Sequence, residues 1–413
     1  MGADSGTHAV THVMVQAIPL ATRAAPSAGG TSQEQVAVTQ LLLMGHASFL
    51  RGRLTAALAL DGEGLTMPNG ELNTGAYGEG FVDRRHPHTY LHEIMVTGRG
   101  SAGPIALSAT AGRGFAPFGT DDPMVRPLVK FPIDHHLAQI LERAVVIGAA
   151  RAGRLTVEAG AFGGDEPAHP SSLPTAGRFG DSWAVRTTVL PTPMVELQGS
   201  YARVASPEDP SGAGLGQRKQ SLSARAASAD GASYLLAEWA RTAAHDPARD
   251  ADVFAYEAVL FEGALGAGPL GIALRLEQSE RPEEDRLQEP FRTPRPSVDL
   301  SINGITRWRV VTLHAAAPAV TRRAFAGVPF VEVARLWAMP RDARTLITPE
   351  RLYGTSRFWM ATAGLRLRIG APLGRMGRYG VADVAGAPLT AMARTLSTPC
   401  PLNRPRLRTN PAP

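Results

Sequence analysis

The sequence predicts an all-β chain closed into a single antiparallel transmembrane β-barrel of about 14–16 strands, its lumen partly filled by long loops and a short helix. Three observations carry this reading. Period-two alternation recurs along the chain between turn-rich stretches; it sorts apolar residues to one face and charge to the other; and most alternating segments run 8 to 12 residues, near the ~9–11 that cross a bilayer at a tilt. No run of eighteen apolar residues is present, which excludes a helical span. The mean hydropathy near zero is what a wall with only alternate residues on lipid gives.

The segments follow in order. Segment 10–20 sets Val13, Val15 and Ala17 against Met14, Gln16 and Ile18. After 36–47 comes 49–60, with Leu50, Leu54, Leu58 and Leu60 opposite Arg51, Arg53 and Thr55. Segments 91–99, 105–112 and 144–151 precede 154–162, where Leu155, Val157 and Ala159 oppose Arg154, Thr156 and Glu158. Next are 183–190 and 194–204, the latter opposing Val195, Leu197 and Tyr201 to Glu196, Gln198 and Ser200. Segments 219–227, 233–241 and 253–262 lead to 269–278, where Leu270, Ile272, Leu274 and Leu276 oppose Gly271, Arg275 and Glu277. In 304–314, Trp308 and Val310 oppose Arg307 and Arg309; 325–336 follows. The last, 357–369, places Trp359, Ala361, Ala363, Leu365, Leu367 and Ile369 against Met360, Thr362, Gly364, Arg366 and Arg368. No helix sorts charge this way.

The barrel therefore spans 10–370, after a short N-terminal segment 1–9 and before a Pro- and Arg-rich tail 371–413 that is expected to be disordered, because prolines remove ladder donors. Links at 61–90, 113–134 and 279–303 exceed ordinary hairpin turns and are expected as external loops or lumen fillers. Trp183, Tyr201, Tyr234, Trp239, Tyr256, Trp308, Trp337, Tyr353 and Trp359 lie at or near strand ends, where interfacial belts form.

In a soluble sandwich the charged faces would be outermost; in a membrane barrel they line the lumen. The expected lumen charges are Arg51, Arg53, Arg275, Arg307, Arg309, Arg366 and Arg368 against Glu158, Glu196, Glu257, Glu277 and Glu332, an arginine excess that favours anions by the charge-ring logic of selective pores. The expected partners are the outer-membrane lipid bilayer and small solutes or ions. Although the formal charge is +5, the arginines are scattered instead of clustering with aromatics, which argues against nucleic acid. One cysteine, Cys400, excludes an internal disulfide framework and Cys-based zinc sites. No signal peptide is visible at the start, as expected for a mature exported form.

Five of the eleven histidines fall between 86 and 136. The groups are Asp83-Arg84-Arg85-His86-Pro87-His88 with His92 and Glu93, and Asp134-His135-His136. Imidazole and carboxylate so close in sequence suit Cu or Zn, with His86, His88, His135 and His136 as ligands; the alternative is a hydrogen-bonded lock on lumen loops, with no cofactor at all. Asp134 also reads as the N-cap of a short helical turn. The Gly- and Pro-dense stretch Gly112 to Pro127, with Asp121 and Asp122, is a loop able to fold inward. No Gly-x-Ser-x-Gly elbow is present; a rim hydrolase would have to use groups such as His314 and Asp299, and no enzymatic activity is expected.

The block Asp83 to Glu93, with Asp134-His135-His136, resembles a family of uncharacterised bacterial outer-membrane β-barrel (porin-like) proteins that carry an Asp-Arg-Gln-His-Pro-His-Asp block, then a strand and later a His-His pair. This chain has Arg85 in place of Gln and Thr89 in place of Asp; Gly163 to Pro167 and the strand Phe358 to Ile369 are also similar. The resemblance covers roughly 36–370 and implies an outer-membrane barrel, with no established activity.

Overall fold

The computed structural model describes residues 10–26, 32–67, 70–72, 88–133, 135–167, 170–174, 176–228, 233–267, 270–284, 302–341, 348–370 and 375–383. Seventeen strand segments form one sheet: β1 Val10–Ala25, β2 Gln33–Phe49, β3 Leu54–Asp61, β4 Leu91–Ala102, β5 Ile105–Gly114, β6 Arg143–Ala152, β7 Leu155–Phe162, β8 Ser182–Thr192 and β9 Val195–Val204 in the first half. The second half holds β10 Gly216–Ala227, β11 Tyr234–Asp246, β12 Ala251–Ala267, β13 Leu270–Glu284, β14 Ile302–Ala316, β15 Val320–Arg322, β16 Phe325–Pro340 and β17 Arg357–Ile369. Each pairs antiparallel with its sequence neighbour, and β15 continues β14 along the edge of β16, so the wall has sixteen staves. β1 closes the ring on β17, from Val15 opposite Ile369 to Ala25 opposite Trp359. All sixteen strands expected from alternation are present.

Tight turns connect staves at one end, and the longer links lie at the other, where α1 (Glu63–Thr66) and α2 (Pro349–Tyr353) are found. The expected strand 49–60 is shorter than alternation suggested. Leu50–Gly52 forms a 3-10 turn with Arg51 at φ 56, and β3 begins at Leu54. The long link expected at 279–303 also shrinks, since β13 runs to Glu284 and β14 starts at Ile302.

Along most of the wall the apolar parity faces out. Leu197, Leu222, Phe261, Leu276, Leu313 and Val333 are all exposed on the outer surface, and Glu158, Arg186, Glu262 and Arg275 are buried inside. Towards the long-link end the parity of β14 is reversed from expectation: Trp308 and Val310 point inward, and Arg307 and Arg309 point outward. There Trp308 joins Leu336, Ala338, Tyr353, Phe358 and Met360 in an apolar cluster inside the wall, its ring tilted against that of Phe358 at a centroid distance of 5.3 Å. Of the expected belt aromatics, Trp308, Tyr234 and Tyr353 are therefore interior residues.

The link between β5 and β6 (115–142) does not leave the barrel but turns into it, and nearly every described residue from Phe115 to Lys130 is buried. Gly119 makes the close approach possible. It sits at φ +64, and a Cβ there would lie 1.6 Å from the Ala138 carbonyl oxygen, so only glycine fits without moving the link.

Candidate functional site

The lumen is crossed by two pieces of chain, each fixed to charges on the wall. The 115–142 link is held first by Glu332 of β16, whose carboxylate accepts from Val129 N at 2.9 Å and Lys130 N at 3.1 Å and faces His314 Nδ1 at 3.1 Å. Arg275 of β13 donates to the Lys130 carbonyl at 2.7 Å while pairing with Glu262 of β12 at 2.7 Å. Glu277 accepts from Ile133 N at 2.7 Å. Arg366 of β17 reaches the carbonyls of Arg126 and Pro127, the latter at 3.1 Å. The link's own Lys130 pairs with Glu71 at 2.7 Å, tying it to the β3–β4 connection. These backbone groups thus exchange water for wall side chains, which offsets their desolvation.

The second piece is the segment 375–383, which lies inside the barrel although a disordered tail was expected from 371 onward; 371–374 and 384–413 lie outside the described residues. The reason is electrostatic. Arg375 bridges Asp121 of the link at 2.6 Å and Glu196 of β9 at 2.9 Å. Arg378 donates to Thr188 at 3.0 Å and to Glu196 at 3.2 Å, and it also bonds Gln198. The Tyr379 hydroxyl accepts from Phe115 N at 3.0 Å. Burial alone would depress the Arg375 guanidinium, but Asp121 and Glu196 raise it above its ordinary value. Arg378 is pushed down to about 10 by burial and by neighbouring Arg186 and Arg375. Burial would raise Asp121, yet Arg375 and Arg378 hold its carboxyl below the usual range.

Arg186 of β8 is the junction of both pieces. It grips Glu158 with Nε and Nη2 at 2.6 and 2.7 Å, and its remaining donors reach the carbonyls of Gly119 at 3.3 Å and Gly377 at 2.9 Å. Two charges so placed, each about 1% exposed, are stable only as a pair with its hydrogen bonds filled. A cavity of about 20 Å³ between Thr120, Leu137, Glu238 and Leu260 has room for about one water.

Near the long-link end, Asp61 closes β3 and His92 opens β4. Asp61 Oδ1 accepts from Glu63 N at 2.7 Å and Oδ2 lies 3.3 Å from His88 Nδ1. Glu63 Oε1 accepts from Thr39 at 2.7 Å and Gln40 N at 2.6 Å, while Oε2 lies 3.5 Å from the same His88 nitrogen. His92 is fixed by Glu142, 2.8 Å from its Nδ1, and Glu142 also accepts from Thr89 N at 2.7 Å. Burial opposes charge on His88, but its contacts with Asp61 and Glu63 raise it well above the ordinary histidine value. Burial likewise opposes ionisation of Glu142, and His92 brings it down to about 2.

Of the expected lumen charges, Glu158, Glu196, Arg275, Glu277, Glu332, Arg366 and Arg368 face the interior. Arg51 and Arg53 do not: they are exposed in the β2–β3 turn, because the chain leaves the strand at Leu50. Arg307 and Arg309 face outward, as above, and Glu257 also faces outward, opposite Arg241. Of the four expected metal ligands, His88 is placed in full. His135 and His136 lie on a 3-10 turn, His135–Ala138, with side chains outside the described residues; His86 is also outside them. His314 is buried against Phe330 and Glu332, not at the rim, and Asp299 lies outside the described residues. The sequence reading missed Arg186, Glu262, Arg375 and Arg378. For Arg186 the signal was present in Ala184, Arg186 and Thr188, the inward parity of an expected strand; Glu142, which the sequence reading also missed, lies in a link with no periodicity.

No family model matches this sequence, and no curated protein does. Among solved structures the fold is similar to an anion-selective porin from Comamonas acidovorans, at 12% identity over 88% of this chain and 100% of that one, with a TM-score of 0.51. OmpT, an outer membrane protein of Vibrio cholerae, aligns at 7% identity over 87% and 99% of the two chains, TM-score 0.49. Salmonella typhi OmpF aligns at 9% identity over 89% and 99%, TM-score 0.47. At 12% identity the likeness to the first of these is one of fold alone, that of an all-β barrel.

Proposed function

We propose that this chain is an outer-membrane barrel that passes small solutes or ions through a lumen narrowed by the 115–142 link and the 375–383 segment. The observation that carries the membrane placement is the outer surface. Leu197, Leu222, Phe261, Leu276, Leu313 and Val333, on six strands, leave large side chains exposed while charges are buried within, an arrangement that costs free energy in water and is favourable in lipid. A closed ring also leaves no strand edge unpaired in the bilayer.

The passage is restricted because the wall charges that could form a selective ring are engaged with the two inserted pieces. Arg366, whose bonds run to carbonyls rather than to a carboxylate, is a lumen cation outside the wall's bidentate ion pairs and supports an anion-leaning selectivity. The outward Arg51, Arg53, Arg307 and Arg309 contribute nothing to it. Planar-bilayer recording on the full chain and on an Arg375→Ser, Arg378→Ser double variant tests this. The expected result is a small anion-leaning conductance that rises several-fold in the double variant. Cation preference in both proteins sinks the selectivity. Silence in both favours a second reading, a permanently sealed structural barrel, for which the burial of the Glu158–Arg186 pair is the supporting observation.

A further inference from the structure

We propose that Asp61, Glu63, His88 and His92 form a closed site for one divalent first-row metal ion of the zinc class, which pins the β3–β4 connection between the end of β3 and the start of β4. The donor set is two imidazoles and two carboxylates, the N/O mixture such ions take when thiolates are absent. Donor atoms of Asp61, His88 and His92 all lie within 4.8 Å of one another. The His88 nitrogen is 3.3 Å from Asp61 Oδ2 and 3.5 Å from Glu63 Oε2. Ligands about 2.0–2.1 Å from a tetrahedral ion stand about 3.3–3.5 Å apart, so this part already has the edge length of a coordination tetrahedron. His92 lies within 4.8 Å of His88 and Asp61 and has to approach.

Two features separate this group from an ordinary buried ion cluster. His92 is fully buried, and its Nε2 has no hydrogen-bond partner among the described residues. An orphaned nitrogen on a buried ring costs stability unless something satisfies it. Its other nitrogen is held by Glu142 at 2.8 Å, and a carboxylate on one side of an imidazole is the usual device for presenting the opposite nitrogen to a metal. The carboxylates are preorganised in the same manner. Asp61 Oδ1 and Glu63 Oε1 are occupied by backbone or hydroxyl donors, which leaves one oxygen of each turned towards His88. Phe131 and Phe115 flank the histidines, with ring centroids 6.1 Å from His88 and 5.5 Å from His92. Four protein ligands in a dry pocket describe a structural ion with no position open for substrate.

The test is a cobalt titration of the EDTA-stripped, detergent-solubilised full chain, read by visible absorption and independent of any conductance. One equivalent of Co²⁺ should give the intense visible bands of a tetrahedral N/O site, and Zn²⁺ should remove them. Asp61→Asn and His92→Gln, each checked for folding by far-UV circular dichroism, should abolish the bands. Glu142→Gln, which keeps every ligand but loosens the His92 ring, should weaken binding by about 10–100-fold. Absence of stoichiometric bands in the wild-type chain overturns the proposal without reference to any variant. Bands that survive His92→Gln but vanish in a His86→Ala, His135→Ala variant would also overturn it, placing the ion on the other histidines.

Discussion

β7, β8 and β9 turn Leu155, Val157, Trp183, Val185 and Leu197 outward and Glu158, Arg186 and Glu196 inward. The long-link ends of β14, β16 and β17 do the opposite, with Arg307, Arg309, Arg335 and Arg357 outward and Trp308, Leu336 and Phe358 inward. Both regions belong to one continuous sheet with one alternation, so the strand itself does not set polarity. On the proposed membrane placement, the medium outside does. Where hydrocarbon surrounds the wall, an outward charge costs about 2–4 kcal/mol and the lumen takes the polar parity. Beyond it, water accepts the arginines and the interior becomes an ordinary apolar core. Tryptophans mark the boundary: Arg23 lies 5.9 Å over Trp359 and Arg335 5.9 Å over Trp337, as expected where an amphipathic ring meets headgroups.

The largest effect should come from emptying that rim core. Trp308→Ala removes a side chain 1% exposed and should cost about 3–5 kcal/mol by the cavity argument, measured by denaturant unfolding in micelles. Trp359→Ala, on the outer side of the neighbouring rim, should cost much less. Equal losses would mean that the rim is not a packed core. Next in size is a charge placed on the belt. Leu276→Arg, outward on β13, should cost about 2–4 kcal/mol, and Arg309→Leu, further up the neighbouring stave, about 0–1. If Leu276→Arg were as mild as Arg309→Leu, the belt would not lie in hydrocarbon.

This comparison also explains what the sequence could and could not disclose. Alternation is a local property fixed by the strand's period of two, so all sixteen staves were legible from residue order. Which parity faces the lumen is not local. Glu158, Arg275 and Arg366 lie inward, whereas Arg307 and Arg309 lie outward, and nothing in Arg-Trp-Arg-Val records the height of the segment along the wall. Arg51 and Arg53 failed for another reason, since a left-handed turn at Leu50 and Arg51 (φ 51 and 56) interrupts a pattern that reads unbroken. The candidate metal group was half legible. His88 and His92 stood in a visible cluster, but Asp61, Glu63 and Glu142 reach them only through the successive pairing of β3, β4, β5 and β6. The 375–383 segment was hidden by composition, as its arginines look like a solvated tail until Asp121 and Glu196 are brought opposite them.

The smallest effect separates the two lumen inserts by pH. Asp121 faces Arg375 and Arg378 of the inserted segment, Arg225 of β10, Glu196 of β9 and Arg126 of its own link. Its carboxyl is held below the ordinary range despite burial. A depressed carboxylate contributes stability that is fully present above its unfolded value, near ~3.9, and is lost only as pH falls through the lower folded value. The part of the 375–383 docking that rests on Asp121 should therefore be unchanged between neutral pH and about 5, and should loosen only under stronger acid. Limited proteolysis of the C-terminal segment across that range is the measurement. Release beginning near pH 6 would show that a group other than Asp121 governs the contact, and that the segment is held less by its carboxylates than the 2.6 Å Arg375–Asp121 pair implies.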